Sequence, residues 1–427
     1  MNLLALSWKN LINKPLSLLL SLVLFSLGVG LVSLLLLVTR QLEEKFEKNL
    51  AGIDLVIGAK GSPLQLILSG MYHIDAPTGN IPISEVRPFL NPRHPLIQKA
   101  VPLSLGDSYR NYRIVGTTSA FFDLYQAAIA EGRSFENVME AVAGAEAARA
   151  LGLKIGDTFR SSHGLADDED MEHKESSFTL CGILKPTGSV ADQLILTPAQ
   201  SIWAVHDHGS VFEEAGEEPH EDHEEGHEDH ETFDIAKPLT DYPDKDITSL
   251  LIQFKGRNIQ TLNMQRSINE NTDLQAATPA IEITRLYTLL GLGADALRWL
   301  AFVIIAVSGL SIFISLYSSL KDRRYELALM RTMGASPSTL FALIILEGLF
   351  LAVIGYLIGM LLSHGGMQLL AGFMKDTYRY TFTGTQFLKE EGFLLLGALA
   401  VGFLASVIPA FQASHTDIHE TLADGGR

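Results

Sequence analysis

The sequence predicts a membrane protein with a four-helix transmembrane bundle and an α+β extracytoplasmic domain inserted between the first and second helices. The first observation is a set of four apolar runs that are long enough to cross a bilayer, since a span needs ~20 residues at a rise of ~1.5 Å each. The second is a long segment after the first run, in which short apolar or alternating stretches are separated by Gly, Pro and Asp. The four runs are predicted at 15–39, 299–320, 338–363 and 392–413.

The composition supports this class and excludes others. The chain has 427 residues, of which 47% are hydrophobic, and a formal net charge of −17. Of its 49 acidic residues, 23 lie between His163 and Asp246, where there are four Lys and no Arg. Such an acidic surface argues against a nucleic-acid partner, because nucleic-acid-binding surfaces are basic. The single cysteine, Cys181, lies in an alternating run and is expected to be a small core residue rather than a nucleophile.

The basic residues of the short loops predict the orientation. The loop 321–337 contains four Lys and Arg residues, whereas the loop 364–391 balances its basic residues with acids. Because cytoplasmic loops carry the basic excess, 321–337 and both termini are expected to be cytoplasmic, in the inner membrane, with residues 52–280 outside. The other predicted segments are an interfacial helix at 1–14, stalk helices at 40–51 and 281–298, a short periplasmic loop at 364–391 and a cytoplasmic tail at 414–427.

Secondary structure in the 52–280 domain is predicted from local patterns. The strands are expected in "IDLVIG", "YRIVG", "FTLCGIL", "QLILT" and "SLLIQF". An Ala-rich run that begins at Asn137 predicts a helix ending at Gly152. Two acidic, histidine-containing loops interrupt this pattern, and the longer is expected at 206–237.

The loop 321–337 predicts a short cytoplasmic helix, which we call the coupling helix. Tyr325, Leu329 and Met333 are four residues apart and therefore form one stripe. Gly334 suits the end of a helix, and "SP" at 336–337 suits the N-cap and first position of the next one. Without further information this helix is equally explained as a basic connector that has no partner.

The segment "KDRRYELALMRTMGASPSTLFALIILEG", from Lys321 to Gly348, closely resembles the MacB-like and FtsX-like permeases of ABC transporters. The tail "VIPAFQASHTDIHETLADG" resembles that family's ending, and "GRSFENVMEAVAGAEAARALGLKIGDTF" with "FTLCGILKPTG" resembles its periplasmic domain. The tail departs from the family at His415, where Arg is frequent, and at Ile418, where Pro is frequent. The cytoplasmic end is therefore expected to dock differently.

The resemblance implies a permease subunit that is not itself an enzyme. It implies a separate cytoplasmic ATPase that binds the ATP, a homodimer in the membrane lipid, and a periplasmic binding or adaptor protein. The chain has no G-x-x-x-x-G-K-[ST] phosphate-binding motif and is not expected to hydrolyse ATP alone. The residues expected to contact the ATPase are Arg323, Arg324, Tyr325, Glu326, Leu329, Met330, Arg331, Met333 and Gly334.

Glu347 is the one acid inside the four predicted runs. It is expected roughly 13 Å into the third span, where an ionisable group must face other helices because of its cost in lipid. Its two interpretations are a proton or ion site and a hydrogen-bonded clamp to serines of the second span, namely Ser308, Ser311 or Ser315. Gly355 and Gly359 on the same run form a GxxxG face that permits close helix contact.

Histidines at regular intervals in the long acidic loop predict a metal site. Imidazole nitrogen and carboxylate oxygen are ligands that zinc accepts, and copper or nickel would accept the same nitrogens. The alternative is a solvated acidic loop whose histidines have no ligand. Three functions therefore remain: transport linked to zinc or another divalent metal, export or extraction of a lipoprotein, peptide or small toxic molecule, and regulation of a periplasmic enzyme. The candidate ligands are His206, His208, His220, His223, His227 and His230.

Overall fold

The computed structural model describes residues 3–12, 15–163, 177–213, 233–378 and 382–415. The chain forms two compact units. The membrane unit comprises Met1–Glu43 and Thr288–Arg427, and the sheet unit comprises Glu44–Tyr287. The chain therefore enters and leaves the sheet unit through the two segments that join it to the first and second apolar helices.

The helices of the described residues begin and end at positions that their sequences explain. Proline opens α2 and α11, since its fixed φ suits the first helical position. Ser336 accepts a hydrogen bond from the backbone N–H of Thr339, so the predicted N-cap of α11 is confirmed. The helices are α1 (Leu3–Ile12), α2 (Pro15–Leu50), α3 (Pro63–Gly70), α4 (Ile83–Val86), α5 (Ala120–Leu124), α6 (Ala145–Leu151), α7 (Ala199–Glu213), α8 (Ile259–Asn271), α9 (Pro279–Asp322), α10 (Arg324–Thr332), α11 (Pro337–Tyr378) and α12 (Lys389–Ser414).

Within the described residues, four helices are long and apolar enough to cross a membrane. They belong to α2, α9, α11 and α12, and each contains one of the predicted apolar runs. The helical part of α11 extends to Tyr378, so the predicted periplasmic loop at 364–391 is helical over much of its length. The spans are Leu19–Leu50, Pro279–Asp322, Pro337–Phe373 and Lys389–Ser414.

Glycines let α2 and α11 approach closely in the membrane unit. A Cβ atom on Gly359 would lie 2.9 Å from the carbonyl oxygen of Ser26, and one on Gly30 would lie 3.0 Å from the carbonyl oxygen of Gly359. Gly355 is in contact with the ring of Phe25, which is fully buried. The GxxxG face of the third span is therefore used in a contact within the chain, where small residues permit dense packing.

The sheet unit is built on one large mixed sheet. All five predicted strand segments are confirmed as strands. The strands of the described residues are β1 (Leu55–Ala59), β2 (Ile81–Pro82), β3 (Ile97–Tyr109), β4 (Tyr112–Thr117), β5 (Ile129–Gly132), β6 (Glu140–Ala143), β7 (Thr158–Phe159), β8 (Ser162–His163), β9 (Phe178–Leu184), β10 (Ile195–Pro198), β11 (Asp246–Ile247), β12 (Ser249–Phe254) and β13 (Leu274–Ala277).

Strand order shows how distant parts of the sequence pair. Among the described strands, eleven form one sheet in the order β13-β1-β12-β3-β4-β10-β6-β9-β5, with β7 on β9 and β8 on β3. β10 is parallel to β4 and β9 is parallel to β6, while the other pairs are antiparallel. Apolar side chains bury both faces of this sheet, and helices such as α7 cover it. The predicted fold class, four transmembrane helices with an α+β domain between the first two, is confirmed.

Two local predictions in the sheet unit were wrong. The Ala-rich run contains strand β6 and only the short helix α6, which ends at Gly152 with φ +66° as predicted. The strand replaces helix because it fits between β9 and β10, and tertiary packing overrides helix propensity. The long loop was expected from residue 206, but residues 206–213 belong to α7, which buries Trp203.

Candidate coupling site

The coupling helix is α10, which lies between two sharp changes of chain direction. At its start, the helical geometry is interrupted at Arg323, whose φ of −111° and ψ of 16° separate α9 from α10. At its end, Gly334 has φ +101°, a conformation that favours glycine, and the chain then enters α11. The predicted position of a short helix ending at this glycine is confirmed.

One face of α10 is apolar and exposed. The side chains of Tyr325, Leu329 and Met333 are 50%, 44% and 71% exposed. The opposite face buries Leu327 and Ala328, and Leu327 packs in a cluster with side chains of α9, α11 and α12. A helix with a buried face on three spans and a second exposed apolar stripe has the features of a docking element.

Two arginines of this region bind within the chain. The Arg323 side chain is only 13% exposed, and its Nη1 lies 3.3 Å from Oε1 of Glu347. Arg331 donates a hydrogen bond from Nη1 to the carbonyl oxygen of Ser414 at the end of α12. These contacts fix both ends of α10 to α11 and α12. Of the predicted contact residues, the exposed ones are Arg324, Tyr325, Glu326, Leu329, Met333 and Gly334, while Met330 is partly buried.

Glu347 has partners other than the expected serines. Its carboxylate, in a side chain that is 2% exposed, accepts a hydrogen bond from Nδ2 of Asn10 at 2.9 Å in addition to the contact with Arg323. Ser308 instead donates to the carbonyl oxygen of Ile304, and Ser311 is bonded to a serine of α2. The acid is therefore compensated by a largely buried cation, and it joins α1 to the N-cap residue of the coupling helix.

Two of the six predicted metal ligands lie within the described residues, and four lie outside them. His206 lies on α7, with its Nε2 3.5 Å from Oδ1 of the buried Asp107 on β3. His208 follows on the same helix. No group of three His, Cys, Asp or Glu side chains within the described ranges has the arrangement of a metal site. The remaining candidates lie outside the described residues, namely His220, His223, His227 and His230.

The structure contains a second buried ionisable pair that was not predicted from the sequence. His364 and Glu391 lie at the two ends of the predicted loop, and the structure brings them to 3.1 Å, with side chains 12% and 4% exposed. The one available signal was the Glu at the third position of "KEEGFLLL", which is typical of a capping glutamate. Its Oε2 indeed accepts a hydrogen bond from the backbone N–H of Leu388.

Two family models match consecutive parts of the chain. Residues 299–418 match the model of the FtsX-like permease C-terminal domain. Residues 18–218 match the model of the MacB-like periplasmic core domain. Together the two matches include the four apolar helices, the coupling helix and most of the sheet unit.

Curated relatives and solved structures are similar to parts of the chain. The ABC transporter permease YtrF of Bacillus subtilis is 24% identical over 30% of this chain and 31% of the relative. The lipoprotein-releasing system transmembrane protein LolC of Xylella fastidiosa is 25% identical over 33% of this chain and 38% of the relative. The matched parts thus span about a third of these relatives.

Two solved domains are similar to this chain with low TM-scores. The periplasmic region of MacB from Actinobacillus actinomycetemcomitans has a TM-score of 0.32 and 12% identity, and covers 57% of this chain and 97% of that structure. The extracellular domain of the noncanonic ABC-type transporter YknZ from Gram-positive bacteria has a TM-score of 0.28 and 11% identity, with 53% and 99% covered. On the two family matches and the four apolar helices, the chain belongs to the MacB-like, FtsX-like permeases of ABC transporters and is a multi-pass protein of the inner membrane.

Proposed function

We propose that this permease transmits the motion of a separate cytoplasmic ATPase through the membrane to the sheet unit. The observation that carries the proposal is the exposed stripe of Tyr325, Leu329 and Met333 on a helix whose other face is buried. An exposed apolar stripe of this kind is stabilised when a partner covers it. The chain itself is then a transport subunit and not an enzyme.

The anchors of α10 support a mechanical role. A force on the exposed stripe passes to α11 through the Arg323–Glu347 contact and to α12 through the Arg331–Ser414 hydrogen bond. Both contacts involve charged groups, and hydrogen bonds with a charged partner are the stronger ones. A displacement of α10 is therefore passed to the spans instead of being absorbed at its ends.

Two long helices support transmission beyond the membrane unit. α2 continues from Pro15 to Leu50 and α9 from Pro279 to Asp322, without a break at the boundary between the units. Each residue adds ~1.5 Å along a helix, so these segments exceed the ~20 residues that a span needs. We infer that the segments predicted as stalks at 40–51 and 281–298 carry the motion. A homodimer with two ATPase copies and a periplasmic adaptor completes the proposed assembly.

The test is a site-specific cross-link. A cysteine at Met333, in a chain whose native Cys181 is replaced by Ser, is expected to cross-link to the cytoplasmic ATPase that co-purifies with the chain. The matched control is a cysteine at Ile259, an apolar side chain of the sheet unit that is 78% exposed. Cross-linking of both positions, or of neither, would contradict the proposed contact.

A metal-linked task is proposed for the histidine-rich segment of the sheet unit. Its support is the spacing of His220, His223, His227 and His230, which are three, four and three residues apart, and the position of His206 beside Asp107. Zinc is the favoured ion because it accepts imidazole and carboxylate ligands. Deleting Glu213–Glu231 is expected to lower both zinc binding by the purified protein and growth in limiting zinc. Unchanged values in both measurements would refute the metal link.

Export or extraction of a lipoprotein is the alternative that one relative favours. LolC is named as part of a lipoprotein-releasing system, and substrates of this class, or a peptide or small toxic molecule, would need no metal. A third alternative is regulation of a periplasmic enzyme. Cross-linking from the sheet unit in cells separates these functions, since the captured molecule is a lipoprotein in one case and an enzyme in the other.

A further inference from the structure

A buried histidine and a buried glutamate meet at the end of the membrane unit opposite the coupling helix. His364 lies 27 residues after the start of α11, or roughly 40 Å along the helix at ~1.5 Å per residue. Its Nε2 is 3.1 Å from Oε1 of Glu391 on α12. Neither side chain takes part in the proposed contact with an ATPase.

The hydrogen bonds of His364 determine how many protons the pair holds. Its Nδ1 lies 2.6 Å from the carbonyl oxygen of Gly384. A carbonyl oxygen only accepts, so Nδ1 must carry a hydrogen. The second ring nitrogen faces a carboxylate oxygen, and one hydrogen must lie between these two atoms, because two lone pairs would repel.

Only two protonation states satisfy both contacts. In the first, His364 is an imidazolium and Glu391 is ionised. In the second, His364 is neutral and Glu391 is a carboxylic acid that donates to Nε2. Both states carry one proton more than a neutral imidazole with an ionised carboxylate. The geometry therefore requires a bound proton, whichever of the two groups holds it.

The surroundings of the pair supply polar contacts. Ser33 of α2 donates to Oε1 of Glu391 at 3.0 Å and is bonded to Ser363 of α11. The hydroxyl of Tyr356 donates to the backbone carbonyl of Glu391, and the ring of Phe387 lies 4.5 Å from the His364 ring.

The nearest charged residues along the chain point elsewhere or lie apart from the pair. On α12, Lys389 and Glu390 are exposed. On α2, the first charged residues after Ser33 are Arg40 and Glu43, which form an exposed ion pair with each other at 3.8 Å. Between Glu347 and Lys375, α11 contributes no ionisable group except His364 and Tyr356. Among the described residues, the hydrogen-bond partners of the pair, apart from each other, are therefore uncharged.

The pair also holds the segment 382–388, which leads into α12. Gly384 accepts from His364 and donates its N–H to Oε1 of Gln368 at 3.1 Å. Gln41 of α2 bonds to both the N–H and the carbonyl oxygen of Thr383, at 2.9 and 2.7 Å. Hydrogen bonds therefore join α2, α11, α12 and the segment 382–388 around the proton of the pair.

We propose that His364 and Glu391 form a proton-binding site that latches the segment 382–388 to α2, α11 and α12, and that loss of the proton opens the latch. When the proton leaves, the Nε2 lone pair faces the ionised carboxylate and the contact becomes repulsive. The ligand of this site is the proton itself, and the inference is independent of the ATPase contact.

Linkage gives the expected pH dependence. The closed latch holds a proton that the open state can release, and release of a proton is favoured as pH rises. The latch is therefore stable at low pH and weakens as pH rises.

The bound proton is tested directly on the full chain in detergent. Histidine-selective ¹⁵N NMR reports whether His364 is an imidazolium, and infrared spectroscopy reports a protonated carboxylic acid at Glu391. At a pH of about 7.5, one of these two signals is expected in the wild type. In Glu391→Gln the amide can donate to Nε2 without a bound proton, so neither signal is expected. A neutral imidazole with an ionised Glu391 in the wild type would overturn the proposal.

The latch is tested with a nitroxide label at Thr385→Cys in a Cys181→Ser chain. The label is expected to become mobile in the wild type as pH rises, to be mobile at every pH in His364→Ala, and to be immobile and pH-independent in Glu391→Gln. The matched control Glu390→Gln removes an exposed neighbouring charge and should behave as the wild type. An immobile label in His364→Ala, or unchanged mobility while the bound-proton signal disappears, would overturn the latch.

Discussion

Replacing Glu140 by Gln should destabilise the sheet unit through the loss of one charged hydrogen-bond cluster. Glu140 begins strand β6, and its Oε1 lies 2.5 Å from Nη2 of Arg133 while its Oε2 lies 2.8 Å from Nη1. Oε1 also accepts from the side chain of Asn137, and Oε2 accepts from the backbone N–H groups of Glu136 and Asn137. The carboxylate thus closes the turn that leads into β6.

The expected loss of stability follows from the number of hydrogen bonds that each carboxylate oxygen of Glu140 accepts. Glutamine places an NH₂ group at one of the two positions, and that group cannot accept the two or three hydrogen bonds made there. Bonds to charged groups are worth ~1.5–3 kcal/mol each, but Arg133 is 46% exposed and solvent compensates part of the loss. We expect a total cost of about 2–3 kcal/mol, which lowers Tm by about 4–12 °C for a unit of this size.

The destabilisation caused by Glu140→Gln should become smaller as pH falls. The side-chain hydrogen bond with Arg133 lowers the pKa of Glu140 to about 2, against ~4.3 in an unfolded chain. A lowered pKa contributes stability that is present above about pH 4.3 and is lost as pH falls towards 2. The difference between the wild type and Glu140→Gln should therefore be constant at neutral pH and shrink in this window.

Thermal unfolding followed by Trp203 fluorescence measures this prediction. Trp203 is the tryptophan of the sheet unit, and changing Trp8 and Trp299 to Phe leaves it as the only reporter. The matched control is Glu136→Gln, whose carboxylate lies 3.7 Å from the same arginine but is 72% exposed, so a change within ~0.5 kcal/mol is expected. Equal Tm values for the two variants, or a difference that persists unchanged to pH about 2.5, would refute the reasoning.

Three further predictions concern buried groups. Glu347→Gln removes the buried carboxylate partner of Arg323 and leaves it the exposed Glu326 at 3.3 Å, and it should cost about 2–4 kcal/mol, much of it regained in the double variant with Arg323→Gln, as a double-mutant cycle of thermal unfolding would measure. Gly359→Leu should destabilise the membrane unit by about 1–3 kcal/mol, because the added Cβ atom would lie too close to the backbone of α2. Gly365→Leu should leave Tm unchanged, because no atom lies within 4 Å of the Cβ atom added there. Burial raises the pKa of Cys181 to about 11, so thiol reagents at about pH 8 should modify it only after unfolding, and rapid labelling of the folded chain would contradict this.

The parts of the fold that could be predicted from the sequence depend on local signals. The four spans follow from long apolar runs, and the end of α10 follows from Gly334, whose positive φ few other residues adopt. The strand β12 follows from "SLLIQF", whose β-branched and aromatic residues are typical of strands. In each case the residues that determine the structure are neighbours in sequence.

The parts that could not be predicted depend on distant contacts. Strand β6 has an Ala-rich, helix-favouring sequence and is a strand because β9 and β10 lie on either side of it. The partners of Glu347 come from Asn10 and Arg323, and no local pattern links these three positions. The His364–Glu391 pair could not be predicted for the same reason, because the two residues meet only when α11 and α12 pack together.

ATP hydrolysis by the purified complex of the chain and its ATPase tests the central claim most directly. Leu329→Glu places a charge in the middle of the exposed stripe of α10, which is 44% exposed at this position and needs no repacking of the buried face. The account predicts loss of association and of permease-dependent ATP turnover in this variant. The same substitution at the exposed Ile259 of the sheet unit should preserve both. Wild-type association and turnover in Leu329→Glu would contradict the account.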